Sequence, residues 1–263
     1  MPLTKRLVKE IRQAATRHGR RKTGLFLCEG LRACQEAVAR QPGCIKHLLV
    51  TDAANSRNTA VSDLVDQCRR RGISWETCSP GELRNLAATE TPQGILLLCR
   101  RCEPPPPEKP LPGAFVLVLD QIRDPGNLGT MLRSASAVDV IEVWLTHGST
   151  DPFGNKAVRA GMGAQFALNL RQKDSLSVAA DELRSLGVNR IWLSDTSAGI
   201  SCYAPEFNLG KKALVIGSEA HGTADLSGLP RVHIPMPGGT ESLNAAQAAT
   251  ILMFERVRRS TEC

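Results

Sequence analysis

The chain has 263 residues, 42% of them hydrophobic, and a net charge of +7. That is long enough for one large domain or two ordinary ones, and too apolar for global disorder. No run of about 18 apolar residues is present, which argues against a helical membrane span. The opening Met1-Pro-Leu-Thr-Lys-Arg-Leu-Val-Lys-Glu10 is charged and amphipathic and lacks the apolar stretch of a secretory signal, so a cytoplasmic protein is expected.

In chain order, residues 3–17 predict a helix with a basic outer face. Residues 24–29 predict a strand, followed by a helix to about Ala39. A strand is expected at 45–51, a helix at 59–71 ending in Arg69-Arg-Arg71, and an apolar strand at 94–99. Cations at that helix end suit its carboxyl-terminal dipole. Together these make a small α/β domain. Glu103-Pro-Pro-Pro-Pro-Glu-Lys-Pro110 cannot continue a helix or a central strand, and reads as a semi-rigid linker. The expected domains are therefore 1–102 and 113–263, joined by a linker at 103–112.

Beyond the linker, strands are expected at 114–120, 140–146, 166–170, 190–194, 213–217 and 232–235. Helices are expected at 127–138, 174–187 and 243–259. Near-continuous apolar strands such as Phe115-Val-Leu-Val-Leu119 suit a mostly parallel sheet covered on both faces.

The charge is uneven. Residues 1–102 hold 18 Lys and Arg against 9 Asp and Glu, a net of +9. A basic domain of that size suggests a polyanion partner. Aromatics are only 4%, so contacts to backbone and shape are expected over base stacking. The nine cysteines are odd in number and lie mostly in apolar segments, which reads as buried free thiols. Cys99-Arg-Arg-Cys102 lacks the second ligand pair that zinc requires, and no metal site is expected.

Common nucleotide signatures fail on inspection. Gly217-Ser-Glu-Ala-His-Gly222 has the spacing of a P-loop, but Thr-Ala follows where Lys-Ser/Thr is needed. Gly161-Met-Gly163 is half of a dinucleotide fingerprint. Three other segments each join an apolar strand to polar residues. In Leu119-Asp-Gln-Ile-Arg-Asp-Pro-Gly-Asn-Leu-Gly-Thr-Met-Leu-Arg133, Asp124-Pro-Gly126 makes a turn and Asn127 reads as a helix cap. Ala213 to Thr223 ends an apolar strand at Gly-Ser-Glu219. Val232 to Ala249 passes through Pro235, Met236 and Gly238-Gly239, then opens an Ala-rich helix after Ser242-Leu-Asn244.

Those three segments resemble the motifs of the SpoU (TrmH-like) RNA ribose 2′-O-methyltransferases. Phe26-Leu-Cys-Glu-Gly30 and Thr91-Pro-Gln-Gly94 resemble the L30e-like substrate-binding domain that precedes many of them. The resemblance implies a small L30e-like α/β domain followed by a knotted domain, with a trefoil knot near the C-terminus. It implies S-adenosylmethionine as methyl donor, bound by Gly217, Ile234, Met236 and Leu243, with Ser194 in a further loop. It makes Arg133, Asn127, Glu219, Ser242 and Asn244 the catalytic set. RNA phosphates would meet Arg12, Arg20, Arg21 and Lys22.

Related enzymes are dimers, with the counterpart of helix 243–259 at the interface; its apolar face here is Ala246, Ala249, Leu252 and Met253. Relatives carry Ser-Ala-Gly where this chain reads Ala160-Gly-Met-Gly163. Family proposals make the arginine a base, but a guanidinium stays protonated at ordinary pH, so Arg133 fits better as an electrostatic stabiliser. Ribosomal RNA is the favoured substrate by analogy. A transfer RNA ribose methyltransferase and an inactive RNA-binding or ribosome-assembly protein of the same fold are the alternatives.

Overall fold

A computed structural model of the chain describes residues 3–217, 226 and 228–261. Up to Cys102 the elements run α1 (Lys5–Ala15), α2 (Arg17–Thr23), β1 (Leu25–Glu29), α3 (Leu31–Arg40), β2 (Ile45–Thr51), α4 (Asp52–Arg57), α5 (Thr59–Arg70), β3 (Trp75–Cys78), α6 (Pro80–Leu86) and β4 (Ile95–Arg100). They continue with β5 (Val116–Leu119), α7 (Pro125–Ala137), β6 (Glu142–Thr146), α8 (Asn155–Gly161), β7 (Asn169–Lys173), α9 (Leu176–Ser185), β8 (Ile191–Asp195), β9 (Ile200–Ser201), β10 (Ala213–Ile216), β11 (Arg231–His233) and α10 (Ala245–Thr261).

The chain divides into two units. One comprises the residues up to Cys102 with Asp151–Ala167; the other comprises Glu103–Thr150 and the chain from Leu168 onward. The first unit holds a four-stranded sheet of order β1-β4-β2-β3. β4 is antiparallel to both neighbours, and β2 and β3 run parallel. Side-chain alternation along β4 decides which face each residue buries. Ile95, Leu97 and Cys99 pack with α3 and α5 residues such as Val38, Leu64 and Val65. Leu96 and Leu98 pack with Leu7, Ile11 and Ala14 of α1 and Leu83 and Leu86 of α6.

The expected helix 3–17 is cut at Thr16 and restarted as α2. The Thr16 hydroxyl caps the restart by accepting from Gly19 N–H at 3.1 Å. A Cβ on Gly19 would lie 2.1 Å from the Gln13 carbonyl oxygen, so only glycine allows this corner. Helices α4, α6 and α8 and strands β3 and β9 are additions to the expected elements. All are short, and α4 buries none of its residues, so they carry little periodic signal. The strand expected at 166–170 lies at Asn169–Lys173, because Ala164–Phe166 forms a 3₁₀ turn first.

Residues 151–167 join the first unit through both charge and packing. Val158 and Phe166 enter its core, and the Phe26 ring stacks against Phe153 at 4.8 Å. Asp151 accepts from Arg20 Nε at 2.8 Å and from Arg101 Nη2 at 2.9 Å. The unusual Gly163 is explained here: its φ is +90°, and a Cβ would lie 2.8 Å from Glu36 Cβ on α3. Glycine permits that close approach.

The cysteine expectation is corrected in part. Cys44 and Cys102 are joined as a disulfide with Cα atoms 6.3 Å apart. Cys28, Cys34, Cys68, Cys78, Cys99 and Cys202 are free and buried. Burial pushes the Cys68 and Cys78 thiols up to about 11, which makes them packing groups rather than nucleophiles.

The second unit is a seven-stranded sheet of order β7-β6-β5-β10-β8-β11-β9, and every pairing is parallel. Val116, Val118, Ile191, Leu193, Ala213 and Val215 form one core with Ala179, Ala180 and Leu183 of α9. On α10, Ala246, Ala249, Leu252 and Met253 are all buried within this single chain, so these four belong to the intramolecular core. No helix of the described residues is long and apolar enough to cross a membrane.

Candidate active site

Parallel strands align all their carboxyl ends at one edge, where loops and helix starts can surround a ligand. β5 lies mid-sheet. The chain builds outward from it through β6 and β7 on one side, while β10, β8, β11 and β9 occupy the other. Asn127 and Arg133 lie on α7, which follows β5; Gly217 follows β10; Ile234, Met236, Ser242, Leu243 and Asn244 follow β11; Ser194 lies within β8.

The loop after β5 leads into α7. Here the structure corrects one expectation: the helix cap is Asp124, not Asn127. The Asp124 carboxylate accepts from Asn127 N–H at 2.7 Å, and Pro125 occupies the first turn. With its backbone held by that cap, Asn127 has its side chain available for other work. Its Oδ1 accepts from Asn244 Nδ2 at 3.0 Å, across 117 residues of sequence. Asn244 caps α10, with its Oδ1 accepting from the N–H groups of Ala246 at 2.9 Å and Gln247 at 3.3 Å. A hydroxyl contact between Ser134 and Thr250 at 2.7 Å fixes α7 against α10. Two motifs far apart in sequence therefore meet through two helix starts.

Arg133 lies further along α7 and is exposed. Among the described residues no hydrogen bond or ion pair holds it, and none ties it to Asn127 or Asn244. Ser242 is exposed in the segment leading to α10. Glu219 and His221 lie outside the described residues.

On the other side of β5, Gly217 follows β10 and Ile234 follows β11, where it is buried. Met236 and Leu243 are half-buried on the same connection, and Ser194 pairs in register with Val232. Gly239 has φ +75° and open space where its Cβ would be. Apolar side chains beside uncovered backbone are what an uncharged aromatic ring and its sugar require. These residues fit the adenosine part of the expected donor.

The sequence reading missed two residues that shape this region. Asp195 ends β8 and accepts from the N–H groups of Ser197 at 3.0 Å and Ala198 at 2.9 Å and from Arg231 Nη1 at 2.7 Å. Gly199, at φ +86°, closes the turn so tightly that a Cβ would lie 2.1 Å from the Arg231 carbonyl oxygen. An aspartate two and three residues ahead of Ser-Ala is the turn signal that was available in the sequence. Partial burial alone would raise the Asp195 pKa. The two N–H groups and Arg231 outweigh it and hold the carboxyl down at about 2.

A carboxyl depressed by folding stabilises the fold fully above its unfolded value of about 3.9. That contribution is lost as the pH falls toward the folded value of about 2. The difference in thermal stability between wild type and Asp195→Asn is therefore expected to hold steady from neutral pH to about 5, then shrink on further acidification. A difference independent of pH would show that the carboxylate charge is not what holds this turn.

In the first unit, Arg12, Arg21 and Lys22 are exposed, as are Lys5, Lys9 and Arg17 on the same two helices. Arg20 is not. It is 6% exposed, paired to Asp151, and donates through Nη1 to the carbonyls of Ala14 and Ala15. A guanidinium with its donors spent inside the fold is unavailable to a phosphate, so Arg20 leaves the RNA-contact set. Among the described residues no group of three His, Cys, Asp or Glu is placed to hold a metal ion.

Comparison with known proteins fits this geometry. A profile of the SpoU rRNA Methylase family matches residues 114–254, and a profile of the MRM3-like substrate binding domain matches residues 5–97. The 23S rRNA (guanosine(2553)-2′-O)-methyltransferase of Bacillus subtilis is 33% identical, over 94% of each chain. The AdoMet-bound rRNA methyltransferase of Sinorhizobium meliloti superposes with a TM-score of 0.81 at 26% identity, covering 98% of this chain and 97% of that one. The SpoU methyltransferase AviRb of Streptomyces viridochromogenes has the same fold, with a TM-score of 0.82 at 23% identity over 99% of this chain and all of that one. This chain belongs to the SpoU rRNA methylase family.

Proposed function

We propose that this protein transfers a methyl group from S-adenosylmethionine to a ribose 2′-hydroxyl of ribosomal RNA. The observation that carries the reading is the Asn127–Asn244 hydrogen bond, which joins two family motifs at the carboxyl edge of the sheet beside the donor-side loops. S-adenosylmethionine supplies a methyl group already activated by its sulfonium. The protein's task is then mostly alignment. Gly217, Ile234, Met236, Leu243 and Ser194 form the donor side. Asn127 and Asn244 orient the ribose, with Ser242 and Glu219 completing the set. Arg133 holds the adjacent phosphate and stabilises negative charge developing on the 2′-oxygen. The basic first unit selects the RNA through Arg12, Arg21 and Lys22.

Two finer features belong to the same reading. The second domain carries a trefoil knot near its C-terminus, and the first domain is L30e-like. The protein works as a cytoplasmic homodimer. With its Ala and Leu face committed to the core, α10 still offers Phe254, 45% exposed. Phe254→Asp is expected to shift the sedimentation coefficient at micromolar protein from that of a dimer to that of a monomer. An unchanged value would move the interface off this helix.

Calorimetric titration with S-adenosylmethionine tests the function directly. Wild type is expected to bind and Leu243→Arg to lose binding by at least about a hundredfold, since a guanidinium on the apolar donor side would be desolvated without a partner once the donor, itself a sulfonium cation, is bound. A folded wild type that neither binds the donor nor methylates ribosomal RNA would instead support an RNA-binding role without catalysis.

A further inference from the structure

We propose that the cleft at the carboxyl ends of β5, β6 and β7 receives the base of the nucleotide being methylated and reads it as guanine through Asp120. The proposal rests on the ribose methyltransferase reading above and names the base that such a site accepts. The cleft measures about 550 Å³ and is lined by Asp120, Gln121, Arg123, Thr146, Asp174 and Ser175, among others. Most of its lining comes from the segments after β5, β6 and β7, with Leu226 added from the connection between β10 and β11. Asp120 and Arg123 belong to the same loop as Asp124, the cap that holds Asn127. A base in this cleft would therefore sit beside the loop that orients its own ribose.

Asp120 is the telling residue. It is 3% exposed, and its Oδ1 accepts one neutral hydroxyl, from Thr146 at 2.6 Å. Among the described residues nothing donates to its Oδ2. The other buried carboxylates among the described residues are treated differently: Glu142 and Glu255 are each met by arginine. A carboxylate lining the cleft with one neutral partner keeps acceptor capacity for the N–H donors of a ligand.

The surroundings are held in place for such a task. Thr146 Oγ1 also accepts from Gln121 N–H at 3.0 Å. Gln121 has φ +53°, a left-handed conformation that is strained for a non-glycine residue. Backbone strain of this kind gathers at ligand sites. The Ser149 hydroxyl links the same loops, accepting from Ile122 N–H at 3.2 Å and donating to the Leu119 carbonyl at 3.2 Å.

The donor and acceptor pattern then selects the base. A carboxylate accepts from two adjacent N–H groups, and among the four RNA bases guanine alone presents two on one edge, N1–H and N2–H₂. Arg123, exposed at the cleft, has the fork that matches guanine O6 and N7. Uracil and adenine would each leave Asp120 short of a donor.

The test uses the full-length protein with GMP, IMP, UMP and XMP as probes, followed by ligand-observed NMR titration. Wild type is expected to prefer GMP over IMP and UMP by about tenfold or more. Asp120→Asn should lose GMP by a similar factor and gain XMP, whose C2 carbonyl meets the new amide N–H₂. A merely structural role would not produce that exchange of specificity. Should Asp120→Asn fail to fold, Arg123→Ala on the exposed loop decides, with loss of the GMP-over-UMP preference expected and an unchanged GMP-over-UMP preference counting against the proposal. Equal affinity for all four nucleotides in wild type, or a folded Asp120→Asn variant that loses all probes alike, overturns it. S-adenosylmethionine binding measured in parallel separates the two readings. Donor binding without a GMP preference sinks only the base pocket, and a GMP preference without donor binding sinks only the methyl transfer.

Discussion

Replacing Arg133 by alanine is expected to slow methyl transfer by about 10²–10³-fold while leaving S-adenosylmethionine affinity nearly unchanged. The asymmetry follows from position. Arg133 is on α7, whereas the proposed donor residues lie within β8 and on the connections after β10 and β11. It is exposed, and no ion pair among the described residues would have to be broken for it to meet RNA. Its substitution should therefore cost the fold little. On the proposed reading, what is lost is a positive charge close to where the 2′-oxygen becomes anionic, and a contact of that kind counts mainly in the transition state. Arg133→Lys should recover part of the rate, because it keeps the charge but not the planar fork. Single-turnover assays at saturating donor, with donor affinity measured separately, make the comparison. A rate within about threefold of wild type would remove Arg133 from the chemistry.

The largest loss of stability is expected from Arg171→Met. Glu142, at the start of β6, is fully buried. Its carboxylate accepts from Arg171 Nε at 2.7 Å and Nη2 at 2.9 Å, from Asn169 Nδ2 at 2.8 Å and from Trp144 Nε1 at 3.1 Å. Burial alone would push this carboxyl up. The three donors, Arg171 foremost, hold it below the ordinary range. Removing the guanidinium leaves a buried charge without its counter-ion, which costs about 3–5 kcal/mol. The sign of the pH effect is a second test. In the variant Glu142 should ionise only at higher pH, so the loss should be greatest at neutral pH and shrink as acid protonates the carboxyl. Equilibrium denaturation at two pH values measures both. A loss under about 1 kcal/mol at neutral pH would mean that Asn169 and Trp144 suffice.

Much of the catalytic half was legible in the residues themselves. The apolar runs Phe115–Leu119 and Ala213–Ile216 read as strands buried on both faces because a parallel sheet between helices leaves them no polar side. Donor-side residues followed from the motif resemblance, and Asn244 followed from helix-capping chemistry. The cap of α7 was misread because Asp124 and Asn127 are both good capping residues three positions apart, and spacing alone does not rank them. Only the Asp124 hydrogen bond to Asn127 N–H settles which one starts the helix.

Arg20 shows the opposite limit. In sequence it is one of three consecutive cations, Arg20-Arg-Lys22, with the same apparent claim on a phosphate. Its partner Asp151 is 131 residues away, and no local pattern announces a pairing over that distance. The excursion of residues 151–167 into the first unit is hidden for the same reason.

The sequence by itself determined the alternation of elements, the basic bias of the first hundred residues and the family, because local propensity, periodicity and short motifs are properties of neighbouring residues. Only the tertiary structure decided which cations are exposed, which carboxylates are buried and with what partners, and that Asn127 meets Asn244. Those depend on contacts between segments distant in the chain, and such contacts exist only once the sheet has ordered its strands.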